Sequence, residues 1–270
     1  MRKLVFALIL VLFVMGLSVA NYSQSTKKKP TKKPSASANK VVKTTAEPIP
    51  SVYPRPITVA NGYQAEIRDA SRIEMPVGFS PDRKYPLVIF LPWTGGEASR
   101  NYELYADEFP QLGPFISMIP PEAASTKDHS SPGFEAATYR YENRILKDLE
   151  ELKQRQIVDT RNIILVGFSM GGDMSWALAQ RHPEIFTGAI ISGSRTSWSE
   201  KNGIAQIKSN GVKFYFVMGT EERADRLAGL AATLGLLKKE QIPYKYERTP
   251  GDHVWPTFEH FSAGLEFLLK

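Results

Sequence analysis

The chain has 270 residues, 42% hydrophobic and 23% charged, and its lack of cysteine excludes disulfide scaffolds, thiolate metal sites and a cysteine nucleophile. Its net charge of +6 is unevenly placed, because residues 1–50 hold nine basic residues and one acid, which leaves 25 basic and 27 acidic residues elsewhere. A nucleic-acid binder needs its basic stripe on the folded body, so we predict no nucleic-acid partner.

The N-terminus predicts an export signal. A basic Arg2-Lys3 pair precedes an apolar run over residues 4–15, and small residues follow. This order is typical of a cleaved signal peptide over residues 1–20, which would place the protein in the periplasm or outside the cell. The alternative is an uncleaved inner-membrane anchor over residues 4–20, because the apolar stretch approaches the length that spans a bilayer.

Residues 21–50 are rich in Lys, Pro, Ser and Thr and have almost no large apolar side chain. Such a segment cannot offset the entropy of ordering by burial, so we predict a disordered tether. Its lysines give it one candidate partner, an anionic envelope surface. Residues 51–270 are predicted to form a single folded domain.

Apolar runs and helical patterns alternate along this domain. Short continuous apolar runs are typical of parallel strands buried on both faces, and they lie at 86–91, 115–119, 163–166, 188–191 and 214–218. Between and after them, apolar residues recur at helical spacing, at 141–152, 227–237 and 258–268. The alternation predicts an α/β fold with a mostly parallel, doubly wound sheet and helices on both faces. The earlier segment 63–79 alternates in hydropathy and predicts an antiparallel edge.

Binding sites in such sheets form at the carboxyl ends of the strands. The run at 163–166 is followed by Gly167-Phe168-Ser169-Met170-Gly171 and then by a helical segment. This G-x-S-x-G pattern between a strand and a helix predicts that Ser169 is a nucleophile on a sharp turn, with glycines where side chains would collide. The N–H of Met170, at the start of the helix, is predicted to donate to a developing oxyanion.

A serine nucleophile needs a base, and the chain has four histidines. His253 is the predicted base, because it lies in a loop between the final strand and the last helix, beside the nucleophile turn. His182 ends the nucleophile helix and is predicted to be structural. His260 falls off the apolar stripe of its helix and is predicted to face solvent, and His129 lies in a polar stretch without a strand end of its own.

The third member of a serine triad is an acid that orients the histidine. The loop after the strand at 214–218 offers Glu222, Asp225 and Glu221. Glu222 is the predicted acid, Asp225 is the next alternative and Glu221 remains a third. We predict no metal and no cofactor, because the sequence has neither an H-E-x-x-H pattern nor a His/Asp cluster at ligand spacing.

These motifs resemble the α/β-hydrolase superfamily over about residues 57–270. The resemblance is carried by the segment 158–172, by Arg181-His-Pro-Glu-Ile-Phe186 and by Gly251-Asp-His-Val-Trp-Pro256. It is closest to the single-domain serine esterases: the carboxylesterase/phospholipase group, the polyhydroxybutyrate-depolymerase-like and feruloyl-esterase-like enzymes, and the enterobactin-esterase group.

The resemblance implies a role for each matching position. Ser169 would be the nucleophile, His253 the base and Glu222 the acid, where the family more often has Asp. Thr94 would be the second oxyanion donor, although its loop reads Pro-Trp-Thr-Gly-Gly where the family typically has His-Gly. Trp93 is expected to crowd this loop.

The implied activity is hydrolysis of carboxylic esters through an acyl-enzyme, by an exported enzyme. Larger family members carry a lid between strands that here are separated only by residues 192–213, so we expect an open site. Trp93, Trp198 and Trp255 follow strand ends and are predicted to bind substrate, which favours short acyl esters or ester-linked carbohydrate or phenolic groups, free or attached to a polymer. The alternatives are a catalytically silent hydrolase-fold protein that binds the envelope, and an acyltransferase or peptidase on the same fold.

Overall fold

The computed structural model describes residues 57–58, 64–65, 70–121 and 131–270 of the chain. The predicted signal peptide over residues 1–20, the predicted tether over residues 21–50 and His129 lie outside the described residues. Within these ranges, the helices are all too short or too polar to cross a membrane.

Strands and helices alternate through the described residues, and each predicted apolar run forms a strand. The strands are β1 Ile57–Thr58, β2 Gln64–Ala65, β3 Arg72–Glu74, β4 Tyr85–Leu91, β5 Ile116–Ile119, β6 Val158–Phe168, β7 Gly188–Ser192, β8 Lys213–Gly219 and β9 Tyr244–Thr249. The helices are α1 Ala98–Glu103, α2 Ser131–Gln154, α3 Met170–Arg181, α4 Gly203–Asn210, α5 Ala224–Lys239 and α6 Phe258–Leu268. A short 3-10 helix lies at Phe109–Gln111.

One seven-stranded sheet has the order β3-β5-β4-β6-β7-β8-β9, and β1 pairs with β2 separately. The edge strand β3 is antiparallel to β5, as the segment 63–79 predicts, and the other neighbours in this sheet are parallel. The predicted fold class is therefore confirmed. After β4 the chain forms β5 on one side of β4 and then β6 on the other side of β4. The connections therefore run in opposite directions from β4 and β6. A cleft forms at the carboxyl end of such a switch point.

The sheet is buried on both faces, which explains why its strands are unbroken apolar runs. In β4, Leu87, Ile89 and Leu91 pack with side chains of helices α2 to α5. Val88 and Phe90, which point the other way, pack with side chains of α1 and α6. The two layers of helices hold the strands rigidly, so the loops at the carboxyl ends of β4, β6, β8 and β9 start from fixed positions.

Candidate active site

Ser169 stands on a strained turn between β6 and α3. Its φ of 55° and ψ of −119° lie outside the regions that non-glycine residues usually adopt, and such strain persists where the surrounding structure enforces it. The N–H of Ser169 donates to the carbonyl of Ser192 at 2.9 Å, which fixes the turn to the end of β7. The serine is 8% exposed, at the surface of the cleft.

Backbone crowding explains the two glycines of the motif. A Cβ on Gly167 would collide with the carbonyl of Gly171, and a Cβ on Gly171 would lie 2.7 Å from the carbonyl oxygen of Pro92. The second contact shows that the nucleophile turn lies directly against the loop after β4. The predicted steric role of the glycines is therefore observed in the geometry.

His253 and Glu222 meet across the loops that follow β9 and β8. The His253 Nδ1 lies 2.6 Å from Glu222 Oε2, and the Glu222 side chain is completely buried, whereas that of His253 is 29% exposed. The two loops are joined by backbone hydrogen bonds, including one from the N–H of Glu221 to the carbonyl of Gly251 at 2.7 Å. Gly219 permits this contact, because a Cβ there would collide with the Asp252 carbonyl.

The imidazole of His253 lies beside the nucleophile turn. Its ring packs on Phe168, with 4.5 Å between the ring centroids, and a Cβ on Gly193 would approach His253 Cε1 to 2.8 Å. Phe168 precedes Ser169, and Gly193 follows the residue whose carbonyl accepts the Ser169 N–H. The structure has no hydrogen bond between the hydroxyl of Ser169 and this ring, and such contacts are often long in unliganded enzymes.

The Glu222 carboxylate is held from its other oxygen as well. Oε1 accepts the backbone N–H of Arg223 at 3.0 Å and Nη1 of Arg226 at 2.9 Å. Burial by itself would raise the pKa of Glu222, but the hydrogen bonds from His253, from the Arg223 N–H and from Arg226 outweigh it and hold that pKa below its ordinary value. The carboxylate is therefore ionised at neutral pH and can stabilise a positive charge on His253.

The other two candidate acids lie elsewhere. Asp225 is exposed and pairs with the Arg223 guanidinium at 3.1 Å. Glu221 is also exposed, and neither carboxylate contacts His253. Of the three acids that the sequence offers, the structure brings Glu222 to the histidine.

The remaining described histidines have structural partners. His182 caps the end of α3, where its N–H donates to Leu178, and its ring pairs with Glu142 of α2. The prediction that His260 faces solvent is wrong: its side chain is 15% exposed, and it caps α6 through reciprocal hydrogen bonds with Thr257. A residue that falls off the apolar stripe can still be covered when it takes part in a helix cap.

The loop after β4 contains the predicted second oxyanion donor. The hydroxyl oxygen of Thr94 is buried and has no hydrogen-bond partner in the structure. The indole of Trp93 lies so close to Gly96 that a Cβ there would overlap the ring. Met170, the other predicted donor, is the first residue of α3 and is buried. The loop thus accommodates Trp93 because position 96 is a glycine.

Two of the three predicted substrate-binding tryptophans lie together beside the histidine. Trp93 and Trp255 pack edge to face with centroids 4.7 Å apart, and Trp255 also packs on Phe168 at 4.1 Å. They line an open cavity of about 260 Å³ together with Arg100, Glu103 and Leu104. We call the three packed rings of Trp93, Trp255 and Phe168 the aromatic wall.

Trp198 is not part of the aromatic wall. Its carbonyl accepts hydrogen bonds from the side chains of Trp176 and Gln180 on α3, and its ring packs against Phe134 and Tyr139 of α2. The loop after β7 runs along α3 instead of over the cleft. Between β7 and β8 the described structure holds α4 as its helical element, with no lid, as expected.

Two residues at the site were not predicted from the sequence. Arg226 lies four residues beyond Glu222, a spacing that pairs charges on helices. Asp173, in the first turn of α3, accepts hydrogen bonds from the Ser194 hydroxyl at 2.7 Å and from two backbone N–H groups of the loop that contacts His253. Its spacing of four from Ser169 is the signal that could have drawn attention to it.

Comparisons with known proteins agree with this architecture. Residues 112–228 match the family model described as alpha/beta hydrolase fold. A CE1 ferulic acid esterase from Anaeromyces mucronatus, solved with ferulic acid, superposes with a TM-score of 0.55 at 16% identity, covering 80% of this chain and 90% of that one.

Two bacterial structures are similar to the same degree. The BES protein from Bacillus cereus has a TM-score of 0.55 at 16% identity, covering 80% of this chain and 95% of its own. The substrate-bound fluorophosphonate-binding serine hydrolase F from Staphylococcus aureus has a TM-score of 0.53 at 13% identity, with 81% and 98% covered. At these identities the likeness establishes a shared fold.

Proposed function

We propose that this chain, which has the α/β-hydrolase fold, is a serine esterase that hydrolyses carboxylic esters through an acyl-enzyme. The observation that carries the proposal is the juxtaposition at the strand ends. Ser169 stands on a strained turn, and the ring of His253 lies beside that turn with its Nδ1 2.6 Å from the buried carboxylate of Glu222. A nucleophile, a base and a group that orients the base are the three parts of a catalytic triad.

The pairing at Nδ1 supports a role for His253 as the base. With Nδ1–H donated to Glu222, the neutral ring presents its Nε2 lone pair and can take the proton of the Ser169 hydroxyl as the oxygen attacks the ester carbonyl. The imidazolium then returns this proton to the departing alcohol as the C–O bond breaks. Water repeats the sequence on the acyl-enzyme, which releases the acid and restores Ser169.

Two loops supply donors for the oxyanion that forms on the carbonyl oxygen. The N–H of Met170 is at the positive end of α3, where negative charge is stabilised. Thr94 lies in the loop that contacts the nucleophile turn, and its buried hydroxyl has no partner of its own. A hydroxyl that lacks a partner in the free protein can donate to the oxyanion without breaking another hydrogen bond.

The aromatic wall supports a substrate with a planar or carbohydrate group. Phe168 packs on both Trp255 and His253 and so links the two indoles to the histidine, and Arg100 and Glu103 supply polar groups in the cavity that the indoles line. An open cavity of this size suits a short acyl group or an ester-linked phenolic or sugar unit better than a long acyl chain, which needs an enclosed apolar channel. The ferulic acid esterases among the similar structures act on substrates of this kind by name.

The test is covalent labelling of the purified protein with a fluorophosphonate, together with hydrolysis of acetyl, butyryl and feruloyl esters. We expect the wild-type protein and Ser209→Ala, a change at an exposed serine of α4, to be labelled and active. Ser169→Ala should lose both signals. Labelling of Ser169→Ala at another residue, or no labelling of the wild type, would overturn the proposal; the latter result would favour a silent hydrolase-fold protein. Transfer of the acyl group to an added alcohol in preference to water would identify an acyltransferase.

A further inference from the structure

The two oxygens of the Glu222 carboxylate have different partners. Oε2 accepts from His253, while Oε1 accepts from the Arg226 guanidinium at 2.9 Å and from the Arg223 N–H at 3.0 Å. The Glu222 side chain has no solvent exposure, and that of Arg226 is 12% exposed. The buried carboxylate is therefore shared between an imidazole and a guanidinium, and water does not screen this interaction strongly.

The charged groups near Glu222 and His253 differ in whether they reach the Glu222 carboxylate. Asp252 accepts the backbone N–H of His253 and is exposed. Phe168 and Gly193, which cover the imidazole from the ends of β6 and β7, carry no charge, and Arg195 of the loop after β7 pairs with Asp173. The other charged residues of the two loops and of the end of β9 turn outward or bind backbone: Glu221, Arg223, Asp225 and Arg248. Among the described residues, the Arg226 guanidinium is the cation that reaches the Glu222 carboxylate.

Resting on the proposed function, we propose that Arg226 is a positioning residue that fixes the Glu222 carboxylate and, through it, the imidazole of His253. The guanidinium prevents rotation of the carboxylate, since it occupies the oxygen that His253 does not use. Oε2 of Glu222 should consequently stay aimed at Nδ1 of His253, so that the ring keeps its proton on Nδ1 and presents the Nε2 lone pair to the serine hydroxyl.

A matched arrangement at the far end of α3 provides the control. There, Arg181 and His182 both contact Glu142, but no catalytic serine is nearby. The effect of removing each arginine can therefore be compared at two histidines in the same molecule. The chain has four histidines, so selective ¹⁵N-histidine labelling gives a spectrum in which the tautomer of each imidazole can be read.

The experiment records this spectrum at alkaline pH in the wild type, Arg226→Gln, Arg226→Lys and Arg181→Gln. In Arg226→Gln the His253 signals should move from those of a single tautomer with the proton on Nδ1 toward a mixture of the two tautomers. Arg226→Lys should leave these signals close to those of the wild type, because a charged donor to Glu222 is kept. Arg181→Gln should leave the His253 signals unchanged. An unchanged His253 tautomer in Arg226→Gln would overturn the proposal.

Labelling rates give the second readout. Arg226→Gln should slow fluorophosphonate labelling about tenfold at neutral pH, whereas the same change added to Glu222→Gln should cost nothing more. A tenfold loss in the Glu222→Gln background would show that Arg226 acts through packing instead, and would overturn the proposal. If Arg226→Gln does not fold, Arg226→Met, which keeps the length of the side chain without its charge, replaces it and the same outcomes decide. Because the spectrum needs no turnover, it tests Arg226 even if the wild type is not labelled and the proposed function fails.

Discussion

The protein contains two clusters in which a glutamate binds both a histidine and an arginine. The strand-end cluster consists of His253, Glu222 and Arg226. The helix-end cluster consists of His182, Glu142 and Arg181. In both, burial would raise the pKa of the glutamate, but hydrogen bonds from the histidine and the arginine hold that pKa below its ordinary value. The chemistry of the two clusters is nearly the same, so their composition does not explain why we assign a function to one of them.

Position in the fold makes the difference. The strand-end cluster comes from loops at the carboxyl ends of β8 and β9, next to Ser169. The helix-end cluster ties α2 to the last turn of α3, about 18 Å along that helix from Ser169 at 1.5 Å per residue. A histidine held by a carboxylate becomes a catalytic base when a nucleophile stands beside it, and otherwise it is a clamp between helices.

The largest difference in kcat between the two clusters is expected when each histidine is replaced. His253→Ala should lower kcat for ester hydrolysis by about 10⁵- to 10⁶-fold, the same loss as Ser169→Ala, because nucleophile and base act as a unit. His182→Ala should change kcat less than threefold, while lowering the thermal midpoint because Glu142 loses a partner. Steady-state kinetics with a thermal melt of each variant measures both effects. An inactive but folded His182→Ala would reverse the assignment.

Replacing the two glutamates should produce a smaller difference in kcat than replacing the two histidines. Glu222→Gln should cost about 10⁴-fold in kcat, since the amide cannot stabilise the imidazolium or fix its tautomer in the same way. Glu142→Gln and Asp225→Asn should leave kcat within a few-fold of the wild type, because neither side chain contacts His253. If Asp225→Asn costs more than Glu222→Gln, the acid has been misassigned.

The sequence predicts the strand-end cluster better than its surroundings, and the reason is geometric. The ends of buried parallel strands meet at one edge of the sheet, so a residue just after an apolar run can be placed without knowing the loop. This holds for Ser169 and for the loop that contains Glu222, whereas His253 follows β9, a strand that is not an apolar run, and is placed by its position before the last helix. The choice among the three acids depended on which side chain points inward just before α5. Neighbouring residues differ in this respect, since Glu221 is exposed and Glu222 is buried.

Loop paths are not determined in this way. Trp198 follows a strand end, as Trp93 does, but the loop after β7 is tied to Asp173 and then to the side chains of α3. These long-range hydrogen bonds draw the tryptophan away from the cleft. Arg226 was not predicted, for a related reason. Glu222 lies just before Arg223, the N-cap of α5, so its side chain must turn back toward the first turn of that helix to pair with Arg226. The spacing alone does not show this.

The two clusters can also be compared through their neighbouring tryptophans, Trp255 near the strand-end cluster and Trp198 near the helix-end cluster. Trp255→Ala should lower kcat/KM for a feruloyl ester by roughly three- to tenfold, as expected for a lost aromatic contact, and should affect an acetyl ester of a small alcohol much less. Trp198→Ala should change kcat/KM for the two esters by the same factor, since that ring packs against α2 and Arg181. Equal losses on the two esters for Trp255→Ala would show that the wall is structural.

The smallest effect on turnover should come from Glu142→Gln, which instead changes how stability depends on pH. A carboxyl group whose pKa is lowered by folding stabilises the protein above its unfolded pKa and loses that contribution as pH falls through its folded value. At pH 7, Glu142→Gln should lower the free energy of unfolding by about 1–3 kcal/mol, because a buried ionic hydrogen bond is lost. This difference should shrink as the pH falls below about 4.3, the pKa of a glutamate in an unfolded chain, and through the lower pKa of the folded state. Glu184→Gln, an exposed neighbour of the same histidine, should follow the wild-type curve at every pH. Urea denaturation at several pH values measures the three curves, and a Glu142→Gln curve that stays parallel to the wild type in acid would show that Glu142 is not an ionised clamp.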